Sequence, residues 1–150
     1  MLLRTHLVFS ALLYLLLFNF ISEKLIFLLF LVIGTAIVDI DTKKSKLGKK
    51  WFFRPLQLFV KHRRIFHSLF LCFGLSFIVY YFNRSAGLGI FTGYFSHLFL
   101  DCFTKQGVKL FSPLSDFRIR FLLKTGGLIE EILFVILLLT DFFLFLRIAL

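Results

Sequence analysis

The residues around which this chain is organised run from Gly93 to Val108 and read Gly-Tyr-Phe-Ser-His-Leu-Phe-Leu-Asp-Cys-Phe-Thr-Lys-Gln-Gly-Val. Within them His97 and Asp101 are four residues apart, so on a helix their side chains project from one face about one turn apart. Their neighbours are largely apolar, and an imidazole and a carboxylate are costly to desolvate there without a partner. The spacing predicts a metal chelate at the end of an apolar helix. The alternative is a helix-end histidine capped by the neighbouring acid.

The composition of the chain is that of an integral membrane protein. Of its 150 residues 59% are hydrophobic and 24 are Phe, and the mean hydropathy is +0.93, which leaves too little polar sequence to coat a soluble helical bundle. We expect an all-α, polytopic membrane helical bundle of about five helices, about four to five of them transmembrane, in a single domain over residues 1–150. The five apolar segments are Leu7–Ile21, Leu25–Val38, Leu69–Phe82, Ala86–Leu100 and Leu128–Leu146.

The distribution of charge predicts an orientation for this bundle. The net charge is +10, and nine of the 18 Lys and Arg lie between Lys43 and Arg64. Counting crossings places the N-terminus and the two long loops on this basic side, so the positive-inside rule predicts an N-in/C-out protein of the cell membrane. The first apolar segment lacks a small-residue cleavage site, and we expect it to be retained rather than removed as a signal peptide.

All four histidines fall on the predicted cytoplasmic side of the apolar segments. His6 starts the first segment, and His67 adjoins the third and is the better candidate ligand of the Lys61–Ser68 run. Asp39 and Asp41 end the second segment, where an extended chain would let both face one way, one binding a metal and the other orienting it. These residues predict a shared polar site at the cytoplasmic end of the bundle.

His62 lies five residues before His67, about 140° around a helix, so one regular helix would not present both as ligands. We interpret His62 as an orienting or substrate-facing group. Arg63 and Arg64 would hold an anionic phosphate, or they are a plain positive-inside anchor.

Imidazoles and carboxylates together favour Zn²⁺, with Mn²⁺ or Fe as alternatives, over Mg²⁺, which prefers oxygen ligands alone. Three or four protein ligands with an open position would lower the pKa of bound water toward ~7, which is hydrolase chemistry. A second ion is accommodated if one carboxylate bridges, so one or two ions remain open. Glu130 and Glu131 start the last segment, where acids complement the helix dipole.

Other functional classes have weaker support. Trp51 beside Lys49 and Lys50 is typical of an interfacial anchor, and we expect no specific nucleic acid partner. Cys72 and Cys102 form no Cys-x-x-Cys pair, which favours two reduced, packed thiols. The sequence leaves the oligomeric state open.

A set of spaced motifs over most of the chain resembles one known family, the YdjM-like, LexA-regulated, inner-membrane-associated proteins described as metal-dependent hydrolases. That family is in turn distantly similar to the helical zinc phospholipase C and P1 nuclease group. The motifs are Thr5-His6, Asp39-Ile40-Asp41 with Ser45, His62-Arg63, His67-Ser68-Leu69, Gly93-Tyr94-x-Ser96-His97, Asp101, Thr104, Gly107-Val108 and Pro113. The chain departs from the family pattern at Val38, where Pro is common, at Thr42-Lys43, where His-Pro is common, and at Phe66, where Thr is usual.

The resemblance implies phosphoester hydrolysis at the cytoplasmic membrane face, with a lipid as one candidate substrate. The implied metal ligands are His6, Asp41, His67, His97 and Asp101, and the implied catalytic residues are His62, Arg63 and Asp39. The alternative is a non-catalytic membrane protein whose basic Lys43–Arg64 loop binds anionic lipid or a partner. In that case the histidines and acids form only a structural polar cluster.

Overall fold

The computed structural model describes residues 1–41 and 66–150. In these ranges the chain forms five α-helices and no β-strand, with only two isolated β-bridges between residues 104–108 and 119–123. The predicted all-α class and the five helices are therefore confirmed for these residues. The helices are α1 (Leu3–Leu17), α2 (Lys24–Ile37), α3 (Leu69–Phe82), α4 (Arg84–Cys102) and α5 (Leu128–Ala149), with short 3-10 turns at Phe18–Phe20 and Val38–Asp41.

Short polar stretches separate the helices where the sequence predicts tight turns. Asn83 caps α4, because its side-chain oxygen accepts a hydrogen bond from the Ala86 N–H at 2.7 Å. Its amide nitrogen donates to Glu23, the residue before α2, at 2.9 Å. The α1–α2 and α3–α4 turns thus meet at one end of the bundle. Ser68 caps α3 at the other end by accepting from the Leu71 N–H.

Helix α4 is the central helix and packs against α1, α2 and α3. Glycines allow α2 to approach its backbone closely. A Cβ added at Gly93 would lie 2.1 Å from the carbonyl oxygen of Leu31, and one at Gly34 would lie 2.6 Å from that of Ile90. Small residues of this kind are what allow membrane helices to pack backbone to backbone. The contact brings the C-terminal end of α2 beside His97.

The segment between α4 and α5 folds back onto the bundle. Val108 and Ile119 exchange both backbone hydrogen bonds, at 2.9 and 3.0 Å. Val108 also completes a buried cluster below the candidate site, whose other members are Val38, Cys72, Tyr94, Leu98 and Cys102. Both cysteines are free and buried, which confirms the prediction of packed, reduced thiols.

Two helical segments are long and apolar enough to cross a membrane, Leu3–Phe20 and Leu128–Ala149. Helices α2 and α3 have 14 residues each, about 21 Å at 1.5 Å per residue, which is short of the ~30 Å hydrocarbon core. Helix α4 has 19 residues, but they include buried glycines, serines and a histidine. By length and composition, the described residues therefore contain two candidate spans rather than the predicted four to five.

Candidate metal centre

Helix α4 presents His97 and Asp101 on one face, as their spacing predicts. His97 Nε2 lies 3.5 Å from Asp101 Oδ2; the His97 side chain is fully buried, whereas 16% of the Asp101 side chain is exposed. These residues lie at the C-terminal end of α4, close to the starts of α1 and α3 and the end of α2. Asp41 and Phe66, the described residues on either side of the first predicted long loop, lie at this same end, and so does Phe103, where the second begins.

The orientation of the His97 ring is fixed by the neighbouring helix. Its Nδ1 lies 2.8 Å from the carbonyl oxygen of Thr35, which is in the last turn of α2. A carbonyl only accepts, so Nδ1 carries the proton, which leaves Nε2 as the ring atom that can bind a metal on the side of the carboxylates. Histidine ligands of metals are commonly held by such a second hydrogen bond.

His6 enters the site from the first turns of α1. Its ring is fully buried and stacks on that of His97, with centroids 3.8 Å apart and planes 3° from parallel. His6 Nε2 lies 3.3 Å from Asp101 Oδ1. Among the described residues, however, neither ring nitrogen of His6 makes a hydrogen bond of ordinary geometry, and neither does His97 Nε2. Most buried polar atoms in proteins have a hydrogen-bond partner or bind a ligand, so these three nitrogens are candidates to bind one.

His67 and Asp39 complete the cluster from the start of α3 and the turn after α2. His67 Nε2 lies 3.8 Å from Asp101 Oδ2, and Asp39 Oδ1 lies 3.8 Å from His97 Nε2. The backbone beside His67 is held by Tyr94, whose hydroxyl donates to the Phe66 carbonyl at 2.5 Å. The side chains of His67, Asp39 and Asp101 are 16–19% exposed, so the cluster is largely buried but not sealed from its surroundings.

These residues have the spacing of a metal site. They form two overlapping groups, His6–His97–Asp101 and Asp39–His67–His97, and within each group the potential ligand atoms lie within 4.8 Å of one another. Tetrahedral ligands about 2.1 Å from a zinc ion lie about 3.4 Å apart. The nearest nitrogen–oxygen pairs are 3.3, 3.5 and 3.8 Å apart. The donor set, its spacing and its unpartnered buried nitrogens all fit a divalent cation.

The two carboxylates create the electrostatic demand for a cation. Burial raises the pKa of the Asp39 carboxyl above its ordinary value, because the charged form is poorly solvated there; the His97 imidazole opposes this shift and the Asp101 carboxylate adds to it. Asp101 Oδ1 also accepts from the N-terminal ammonium group of Met1 at 2.6 Å. A cation between the carboxylates would favour the ionised form of both.

The structure brings together five of the eight predicted site residues: His6, Asp39, His67, His97 and Asp101. His62 and Arg63 lie outside the described residues, and so does the side chain of Asp41. The predicted ligand role of Asp41 and the predicted substrate contacts of His62 and Arg63 therefore remain predictions.

Sequence reasoning did not find the layer of hydroxyl groups under the two stacked rings. Ser10 Oγ lies 2.8 Å from Thr35 Oγ1 and 2.9 Å from Ser96 Oγ, and all three side chains are buried. These contacts join α1, α2 and α4 one turn below His6 and beside His97. The sequence indicates this layer only through the positions of two serines. Ser10 follows His6 by four residues, about one helical turn, and Ser96 directly precedes His97.

The sequence predicts only one of the two contributions of Glu130, its interaction with the helix dipole. It lies in the first turn of α5, as the helix-dipole interpretation requires. In addition its carboxylate is 1% exposed and accepts hydrogen bonds from Thr5 on α1, from the Leu2 backbone and from the Gly126 backbone. Glu131 next to it is half exposed and pairs with Arg4.

Comparison with known proteins identifies the family of the chain. The model of the YdjM inner membrane protein family matches residues 1–149. The chain belongs to the YdjM family. It is 34% identical over 106 residues to the uncharacterized protein YvsG of Bacillus subtilis (strain 168), and 32% identical over 106 residues to the inner membrane protein YdjM of Escherichia coli (strain K12). The predicted family resemblance is thus confirmed.

The matched stretch covers 67% of this chain and 66% of YvsG, and 64% of this chain and 54% of the Escherichia coli YdjM. No solved structure matches the chain. The predicted distant similarity of the YdjM family to the zinc phospholipase C and P1 nuclease group therefore remains a prediction. Membership of the YdjM family supports placement in a membrane, and the two candidate spans agree with it.

Proposed function

We propose that this YdjM-family protein is a membrane-bound, metal-dependent hydrolase that cleaves a phosphoester at the cytoplasmic face of the membrane. The observation that carries the proposal is the clustering of three imidazoles and two carboxylates, from four separate elements, in two overlapping groups at one end of the bundle. A structural polar cluster would be expected to satisfy its own nitrogens. Here the buried Nε2 atoms of His6 and His97 face Asp101 oxygens at 3.3 and 3.5 Å without a hydrogen bond of ordinary geometry.

The arrangement of the rings supports two ions rather than one. A ring nitrogen donates its lone pair in the plane of the ring, and the His6 and His97 planes are parallel with centroids 3.8 Å apart. Their lone pairs therefore run side by side instead of meeting. Asp101 places Oδ1, which also accepts from the Met1 ammonium group, near His6, and Oδ2 near His97 and His67. Asp39 adds an oxygen near His97, and Asp41 is a further proposed ligand.

The chemistry proposed for this set is hydrolysis at neutral pH. Divalent Zn, with Mn or Fe as alternatives, supplies Lewis-acid activation of water when bound to nitrogen and carboxylate ligands. We assign Asp39 the role of taking up a proton, because its carboxylate lies beside the cluster, 3.8 Å from His97 Nε2, and is 19% exposed. We assign His62 and Arg63 to the phosphate group of the substrate, since a guanidinium pairs with an anion and cannot bind a metal.

The proposed orientation of the protein in the membrane rests on the distribution of basic residues. The site lies at the end of the bundle where Asp41, Phe66 and Phe103 lie, and most of the basic residues fall in the sequence between Asp41 and Phe66 and after Phe103 up to α5. By the positive-inside rule this end faces the cytoplasm. A buried site at the end of an apolar bundle lies close to lipid headgroups, so the proposed substrate class includes phospholipids as well as soluble phosphoesters.

The proposal is tested by hydrolysis of bis(4-nitrophenyl) phosphate and of a phospholipid in mixed micelles by the purified protein. We expect activity that a chelator removes and Zn²⁺ or Mn²⁺ restores, and that falls at least about 100-fold in His97→Ala and Asp101→Ala. Ser76→Ala, a buried hydroxyl on α3 away from the cluster, is the control. Metal-loaded wild-type protein that hydrolyses neither substrate would overturn the proposed reaction and favour the non-catalytic alternative.

A further inference from the structure

Glu130 is a buried carboxylate that belongs to neither group of candidate ligands. Its side chain is 1% exposed, in the first turn of α5. Glutamate is rarely buried to this degree unless hydrogen bonds replace the lost water. The partners of Glu130 therefore indicate why it lies where it does.

Those partners come from the starts of two helices. Glu130 Oε1 accepts from the Leu2 N–H at 2.6 Å and from the Thr5 hydroxyl at 2.9 Å, and Oε2 accepts from the Gly126 N–H at 2.7 Å. Leu2 is the N-terminal cap position of α1, and Gly126 lies just before α5. Helix N-termini carry unsatisfied N–H groups and a partial positive charge, so both helices stabilise this one carboxylate.

The contacts of Glu130 bear directly on one candidate ligand. Thr5 directly precedes His6, and Thr5 and His6 are both fully buried. The His6 ring stacks on His97 and reaches Asp101 from this first part of α1. Helix α5 packs against α1 and supplies no candidate ligand itself. Its links to the residues just before His6 include the hydrogen bonds of the buried Glu130 to Leu2 and Thr5, and the more exposed pair of Glu131 with Arg4.

We infer that Glu130 is a positioning residue, which holds the start of α1 so that His6 stays against His97 and Asp101. The inference rests on the proposed metal centre. It assigns the last helix a role at the site, in addition to its contact with lipid. In Glu130→Gln one acceptor oxygen becomes an NH₂ group, which would face either the Gly126 N–H or the Leu2 N–H. Two hydrogen-bond donors would then face each other at that contact. The side chain keeps its size.

The experiment compares Co²⁺ binding by wild type, Glu130→Gln, His6→Ala and the double variant in detergent. Affinity is measured by titration and the ligand field by the visible spectrum of the bound cobalt. We expect Glu130→Gln to weaken binding about 10–100-fold, as loss of a supporting residue does, and to change the spectrum in the way that His6→Ala does. The double variant should be no weaker than His6→Ala alone. Thr140→Ala, which removes a hydroxyl on α5 that bonds only the Ile136 carbonyl in the contacts described, should match wild type.

Thr5→Val provides a milder variant, since it removes one of the three hydrogen bonds and keeps the buried charge; it should weaken binding in the same direction. The inference is wrong if Glu130→Gln lowers thermal stability but binds cobalt with wild-type affinity and spectrum, or if its effect adds in full to that of His6→Ala. Neither of these results would contradict the proposed hydrolase activity. Wild-type protein that binds no cobalt would overturn the metal centre and the inference together.

Discussion

Helices α4 and α5 are the two longest in the described part of the chain, with 19 and 22 residues, and their surfaces differ in kind. Twelve residues of α4 are buried, among them glycines, serines and His97. Only Glu130 and Leu137 are buried on α5, and most of its large apolar side chains are exposed. In a membrane, helices associate through close packing and hydrogen bonds rather than through apolarity. The less hydrophobic helix is therefore the one that organises the bundle and carries the site.

The largest effect that would break this contrast is expected at the contact of α4 with α2. A Cβ at Gly93 would lie 2.1 Å from the Leu31 carbonyl oxygen, whereas one at Gly74 on α3 would have no neighbour within 4 Å. We expect Gly93→Leu to lose about 3 kcal/mol or more of stability, because overpacking here forces two backbones apart. Gly74→Leu should unfold at the wild-type temperature or above it.

Thermal unfolding followed by helical circular dichroism in one detergent measures both glycine variants. If Gly93→Leu were as stable as Gly74→Leu, the close α2–α4 contact would be absent and the placement of Thr35 beside His97 would have no support.

A smaller effect separates the two faces of α5. Leu137 is 8% exposed and Leu139, two residues on, is 53% exposed. We expect Leu137→Ala to cost about 2 kcal/mol through the cavity it leaves. Leu139→Ala should cost less than about 0.5 kcal/mol. Equal losses in unfolding experiments would mean that α5 packs on both faces rather than on α1 alone.

The smallest effect concerns the hydroxyl layer beneath His6 and His97. Ser10→Ala removes contacts of 2.8 and 2.9 Å to Thr35 and Ser96, and we expect a loss of about 1–2 kcal/mol because buried partners are left unsatisfied. Thr140, on α5, bonds only the Ile136 carbonyl of its own helix in the contacts described. Thr140→Ala should therefore change stability by less than about 0.5 kcal/mol.

Much of the helical architecture was predictable from sequence because it depends on local properties. Apolar runs and the polar turns near Glu23 and Asn83 give the helices, with ends that differ by a few residues from those predicted. The spacing of His97 and Asp101 placed them on one face, and the alternation of apolar segments placed His6 and His67 at the same end of the bundle. The observed distances between these residues agree with that prediction.

The rest depends on register between distant helices, which composition and spacing do not encode. Glu130 bonds Thr5 across 125 positions, and Ser10 bonds Ser96 across 86. Both contacts follow from how far each helix slides along its neighbour, which the glycine contacts of α4 help to set. Among the described residues, two helices are long and apolar enough to span rather than the predicted four to five, since apolar composition alone did not separate long lipid-facing helices from short or buried ones.

The central claim is that His97 and Asp101 bind a metal ion, and the metal content of the purified protein tests it most directly. Wild type, His97→Ala, Asp101→Ala and the control Glu131→Gln are purified in one detergent without chelator, checked for folding by circular dichroism and analysed for Zn, Mn and Fe by mass spectrometry. We predict stoichiometric metal in wild type and Glu131→Gln, and loss of most of it in both site variants, because each removes one of few protein ligands. Folded His97→Ala and Asp101→Ala proteins with wild-type metal content would contradict the claim, and the helix-end cap would then be the correct interpretation of the pair.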